Sequence, residues 1–80
     1  MHERTVKPYL PLRKVVGRDL QQLRQQTGKS QQEIAKRLRI TQPSVSKIES
    51  GAANLTLATI QMYSEALGFR VRVSWVPIND

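Results

Sequence analysis

Five side chains in the run from Thr41 to Gly51 (TQPSVSKIESG) have the chemistry to meet a hydrogen-bonding surface: Gln42, Pro43, Ser44, Ser46 and Lys47. Val45 and Ile48 are spaced to share the inner face of a short helix, which turns the other five toward solvent. A carboxamide such as Gln42 offers one donor and one acceptor side by side, the pattern that matches adenine in a major groove. Lys47, one turn on, can approach guanine or phosphate, and Pro43 offers apolar contact to a thymine methyl. Catalysis fits poorly. The chain has no cysteine and one histidine, His2, with no ligand partner nearby in sequence. It carries no nucleophile–base pair, no metal-ligand cluster and no phosphate-cradling glycine loop, and it hardly has room for a pocket. An enzyme, a cofactor and a metal are therefore not expected.

These side chains need a scaffold, and the flanking residues supply its signals. Ser30 with Glu33 three residues on has the spacing of a capping box, and Ile34, Ala35 and Leu38 then fall on one helical face. Thr41 can cap the next helix. Pro43 is tolerated in its first turn, where backbone N–H groups lack partners, and Gly51 can end it in a left-handed conformation. Two short amphipathic helices about three residues apart, the second small and polar on its outer face, read as a helix-turn-helix. Upstream, Leu12, Val16, Leu20 and Leu23 step by three and four toward Gly28, predicting a first helix over 12–26. Downstream, Asn54 in the loop 51–56 can offer its amide or backbone N–H to a phosphate. Thr56 caps a fourth helix in which Leu57, Ile60, Tyr63, Ser64 and Leu67 share a face, with Tyr63 read as core and Gly68 closing the helix.

The run Ser30-Gln31-Gln32-Glu33-Ile34-Ala35, followed by Thr41-Gln42-Pro43-Ser44-Val45-Ser46-Lys47-Ile48-Glu49-Ser50-Gly51, resembles the Cro/C1-type (XRE) helix-turn-helix family. The likeness continues through Thr56-Leu57-Ala58-Thr59-Ile60 to Ala66-Leu67-Gly68 and covers residues 12–68. It implies a mainly α fold, a lambda-repressor-like DNA-binding domain of four to five helices. It further implies that Gln31, at the start of the second helix, faces phosphate together with Thr41, Ser44 and Asn54. In the family an arginine at the position of Arg24 pairs with a glutamate at the position of Glu49, tying the first helix to the third. Two residues depart from the pattern. Arg39 occupies a turn position where the family commonly has glycine, so a positive φ is expected there. Lys29 stands where an apolar residue is usual, which predicts looser packing at the start of the second helix.

After Gly68 the period changes to two: Phe69, Val71, Val73 and Trp75 alternate with Arg70, Arg72, Ser74 and Val76. A lone strand leaves backbone groups unpaired along both edges, and no second strand is visible in the sequence. Pairing with the same strand of a second copy across a two-fold axis resolves this, with Phe69, Val71, Val73 and Trp75 covering the helices and forming the dimerisation strand. An Ala-Leu-Gly followed by a short strand resembles the HipB- and HigA-type antitoxins. That narrower likeness implies a cognate toxin, kinase-like or ribonuclease-like, as a partner.

Residues 1–11 carry two prolines, scattered charge and no period, and read as an arm in which Arg4 and Lys7 could reach phosphate. The expected organisation is thus an arm over 1–11, the helix-turn-helix domain over 12–68, the strand over 69–76 and a tail over 77–80. Eighty residues are one small domain, whose core gains from dimerisation. Thirteen Lys and Arg against six Asp and Glu give +7, the footprint expected for a phosphate-binding chain once a helix-turn-helix is present. With no signal peptide and no long apolar run, a bacterial or phage cytoplasmic location with no membrane partner is expected. The function these features predict is a homodimeric repressor of double-stranded DNA, with an inverted-repeat operator and the antitoxin role implied by resemblance. Two alternatives stand beside it. One is a stand-alone or phage-type repressor without a toxin, and the other a protein-interaction module with an inactive helix-turn-helix.

Overall fold

The computed structural model describes residues 11–78, and all structural statements concern these. Four helices follow in order: α1 Leu12–Gln26, α2 Gln31–Leu38, α3 Gln42–Ser50 and α4 Leu57–Ala66. Apart from Pro11, the arm expected over 1–11 lies outside the described residues, as do the last two residues of the tail.

Local chemistry explains where the helices begin and end. The Ser30 hydroxyl accepts from the Glu33 N–H at 3.1 Å while the Ser30 N–H donates to the Glu33 carboxylate at 2.7 Å, which completes the capping box of α2. Thr41 and Thr56 accept from Ser44 N–H and Thr59 N–H, so α3 and α4 each start on a threonine cap. Between α2 and α3 the chain turns at Arg39, whose φ of 58° and ψ of 45° lie in the left-handed region. A side chain is disfavoured there by about 1–2 kcal/mol. Arg39 therefore holds the turn that its sequence position demanded, at a cost a glycine would not carry.

The helices close around Leu20, Ile34, Ala35, Val45, Ile48, Tyr63 and Leu67, with Val16, Leu23, Leu38, Ile40, Ala53, Leu55 and Ala66 packed against them. Helix α1 lies against α3, while α2 contacts both α3 and α4. The α1–α3 contact is close because Gly17 has no side chain: a Cβ there would sit 2.3 Å from the Ile48 carbonyl oxygen and 2.9 Å from that of Glu49. Gly17, Leu20 and Arg24 form the buried face of α1. Arg13 Nε donates to the Gly51 carbonyl at 3.0 Å and so satisfies a backbone acceptor just past the end of α3. Gly51 itself has φ +80°, and a Cβ there would meet the Lys14 side chain at 2.4 Å.

Two expectations are corrected. Leu12 and Leu57, assigned by period to the inner faces, are 74 % and 76 % exposed. Each is the first residue of its helix, and helical side chains tilt toward the N-terminus, so these two project past the packed layer. They line an open apolar groove with Val16, Leu55 and Ile60. The second correction concerns the chain after Gly68. Residues 69–78 form no strand, and Phe69, Val71, Val73 and Trp75 do not cover the helices; all four are exposed, Trp75 to 89 %. A strand is defined by its ladder, and no other extended segment among the described residues is paired with this one.

Because alanine is the better helix former by about 1 kcal/mol, Gly17→Ala would stabilise an isolated α1. In the folded protein it is expected to lower stability by about 1–3 kcal/mol, through the collision with the α3 carbonyls. Urea unfolding checks this, and a variant as stable as the parent would contradict the close approach.

Candidate nucleic-acid interface

Helix α3 presents its outer face as the periodicity predicts. Val45 and Ile48 are buried, whereas Thr41, Gln42, Pro43, Ser46 and Lys47 are exposed and Ser44 is half-buried. The first turn is ordered by its own side chains: Thr41 Oγ1 accepts from Ser44 N at 3.2 Å, and the two hydroxyls lie 2.8 Å apart. Gln42, Pro43, Ser46 and Lys47 thus form a solvent-facing row on a helix whose opposite side is locked in the core. Asn54 is exposed in the loop that follows, beside the apolar groove and outside the row on α3.

What fixes this helix is the carboxylate at its end. Glu49 is 5 % exposed and Arg24 9 % exposed. Arg24 Nε donates to Glu49 Oε2 at 2.6 Å and Arg24 Nη2 to Oε1 at 3.1 Å, a two-pronged ion pair of the kind the family resemblance implied. Two further donors complete the site. The Tyr63 hydroxyl donates to Oε2, and Gln31 Nε2 donates to Oε1 at 3.0 Å. Arg24 uses its remaining nitrogen, Nη1, on the Lys29 carbonyl at 2.9 Å, which holds the chain just before α2. A carboxylate has about four acceptor sites, and Glu49 has four donors, so the buried charge is fully satisfied.

The titration behaviour follows from this arrangement. Burial pushes the Glu49 carboxyl up, but the hydrogen bonds from Arg24, Tyr63 and Gln31, with the Arg24 charge, hold it below the ordinary carboxylate value. Arg24 is raised, first by its hydrogen bond to Glu49. Burial and then the Glu49 hydrogen bond push the Tyr63 hydroxyl up, so it remains a neutral donor.

Gln31, expected to face phosphate, also takes part in the Glu49 network. It is half-buried, and its carboxamide bridges inward to Glu49 and outward to Gln42, whose Nε2 donates to Gln31 Oε1 at 3.4 Å. Sequence reasoning missed this bridge, the role of Tyr63 as a donor from α4, and Gly17. A signal existed for two of them. A buried tyrosine hydroxyl must find a partner, and a glycine inside a helical pattern usually has a packing reason. The inward link of Gln31 depends on how α2 crosses α3, and no local pattern encodes it.

Since the native Glu49 carboxyl titrates below its unfolded value of 4.5, the unfolded state binds more protons as that value is approached from above. Its contribution is complete above that pH and is lost as pH falls through the native value. Glu33, lowered chiefly by its backbone hydrogen bond to Ser30, acts in the same direction. Thermal melts of the parent are therefore expected to be independent of Glu49 titration from neutrality to about pH 5 and to fall below it. Glu49→Gln should be less stable at neutral pH with a shallower acid slope; an unchanged slope would contradict the assignment.

The helix-turn-helix family model HTH_3 matches residues 20–73. An HTH-type transcriptional regulator, y4dJ of Sinorhizobium fredii, is 34% identical over 59 residues, covering 74% of this chain and 77% of its own length. Among solved structures, the clp gene regulator ClgR from Corynebacterium glutamicum aligns with a TM-score of 0.76 at 26% identity, over 80% of this chain and 82% of that one. A chain of the HipA–HipB–O2–O3 complex aligns with a TM-score of 0.69 at 26% identity, over 91% of this chain and 100% of that one. With the paired helices, the capped turn and the solvent-facing row on α3 in place, the chain belongs to the Cro/C1-type helix-turn-helix family and is a DNA-binding transcriptional regulator.

Proposed function

We propose that this regulator is a sequence-specific repressor that acts as a homodimer on an inverted-repeat operator and serves as the antitoxin of a type II toxin–antitoxin pair, repressing its own operon. The observation that carries the DNA-reading part is the polar row of α3, exposed along one side of a helix whose other side is core. Gln42 reads adenine, Lys47 contacts guanine or phosphate, and Pro43 touches a thymine methyl. Gln31, Thr41, Ser44 and Asn54 contact the backbone, where contacts set register rather than sequence, and Ser46 adds a hydroxyl to the exposed row. The excess of thirteen basic over six acidic residues supplies the electrostatic part of the affinity.

Dimerisation is supported by the segment after Gly68. Phe69, Val71, Val73, Trp75, Val76 and Ile78 are all exposed within ten residues, which is more than scattered surface hydrophobes. Pairing of residues 69–76 with the same segment of a second copy would bury much of this run and satisfy its backbone. It would also set two reading heads about 34–36 Å apart on one face of the duplex. The antitoxin role is supported by the likeness to a chain of the HipA–HipB–O2–O3 complex, which extends over 91% of this chain and so includes more than the helix-turn-helix alone. A regulator without a toxin is the second reading, favoured by ClgR, which is a regulator of clp genes.

Gln42→Ala is expected to reduce the preference for the cognate operator over random duplex by about 1–3 kcal/mol in competition binding. Equal weakening on both DNAs would remove the base-reading role. For the dimer, Val73→Pro should give monomers in sedimentation and lose operator affinity while the circular dichroism of the four helices is kept. A monomeric parent, or a variant that stays dimeric, would contradict strand pairing.

A further inference from the structure

We infer that Arg39, in the turn between α2 and α3, binds a phosphate of the DNA backbone beside the row on α3, and that this contact accounts for an arginine in a backbone position that suits glycine. The inference rests on the reading of α3 as the helix that faces DNA. Among the described residues Arg39 is the one non-glycine residue with a positive φ, 58°, a conformation that disfavours any side chain. The turn itself is made by the main chain, whose Arg39 N–H bonds to the carbonyls of Ala35 and Lys36 and closes α2. A glycine would make the same bonds without the strain. The side chain thus adds nothing to the turn, and strain without a structural return points to a role outside the chain.

The surroundings indicate which role. The Arg39 side chain is exposed, and among the described residues its guanidinium donates no hydrogen bond and joins no ion pair. Its five N–H donors and fixed charge are open to an external acceptor. The intervening peptide bonds are trans, so the Arg39 Cα lies at most about 7 Å from that of Thr41 and about 11 Å from that of Gln42. That places the guanidinium at the phosphates flanking a groove that holds α3. The neighbouring cations are accounted for otherwise. Lys36 and Arg37 stand in the last turn of α2, where positive charge meets the helix dipole, and Arg37 lies with Met62 and Glu65 on the α2–α4 side. A guanidinium suits the two-pronged recognition of phosphate, so Arg39 contributes affinity and register while base choice stays with α3.

The test is the salt dependence of binding to a random-sequence duplex by the parent, Arg39→Gly, Arg39→Gln, Arg39→Lys and Arg37→Gln. Arg39→Gly should melt at or above the parent, because the strain is gone. Both it and Arg39→Gln should bind about tenfold more weakly at about 50 mM salt, and the slope of log K against log salt should be shallower by about 0.9 per bound copy. Arg39→Lys, which keeps the charge, should retain most of the slope, and Arg37→Gln should change it far less than Arg39→Gln does. Slopes equal to the parent's in the glycine and glutamine variants would leave Arg39 a turn residue only and overturn the inference. So would a loss in Arg39→Gly alone, which is an effect of turn flexibility, or an equal loss in Arg37→Gln, which is an effect of net charge. A parent that binds no duplex at all removes the reading of α3, and the Arg39 contact with it.

Discussion

A single buried negative charge organises this protein. Glu49 receives a donor from each of the other three helices: Arg24 of α1, Gln31 of α2 and Tyr63 of α4. A carboxylate removed from water and left short of partners would cost several kcal/mol, so the helices are constrained to arrive with their donors in place. The apolar core could tolerate small sliding of one helix on another. Four hydrogen bonds converging on two oxygen atoms tolerate it far less, and Glu49 sits in the last turn of the helix that bears the outward row. Its satisfaction and the orientation of that row are the same geometric condition.

The surrounding packing serves the same end. Gly17 lets α1 come close to the carbonyls at the end of α3, and Arg13 caps the chain at Gly51. Arg39 accepts a left-handed backbone to set the turn into α3. Arg24 reaches past Glu49 to the Lys29 carbonyl and so holds the chain where α2 begins. A buried ion pair of this kind is poor evidence for net stability, because desolvation offsets much of the attraction. Its larger consequence here is directional: it ties the end of α3 to the other three helices.

Most of the fold was legible in the sequence, for reasons that differ among the elements. Ser30, Thr41 and Thr56 act through bonds to residues three positions away, so local spacing sufficed. Arg39 and Gly51 were readable because turns demand particular backbone angles. The Arg24–Glu49 pair spans 25 residues and came from resemblance to a family, since nothing in local spacing joins them. Helical period gives the face of a residue but not its depth along the axis, which is why Leu12 and Leu57 share the inner period yet stand exposed. The terminal segment alternates as a strand does, yet alternation specifies only the faces, and a ladder needs a second backbone. Gly17 and the hydroxyl of Tyr63 act only once the helices have crossed.

If the charge at Glu49 chiefly orients α3, its removal in a matched apolar set should separate stability from recognition. The direct measurement is the operator-over-random binding ratio of the triple variant Arg24→Met, Glu49→Met, Tyr63→Phe, recorded with its melting temperature. Such a replacement leaves no orphaned charge or hydroxyl, so the protein should stay folded and melt close to the parent. The account predicts that the ratio collapses toward one. A folded triple variant that discriminates as well as the parent would contradict it.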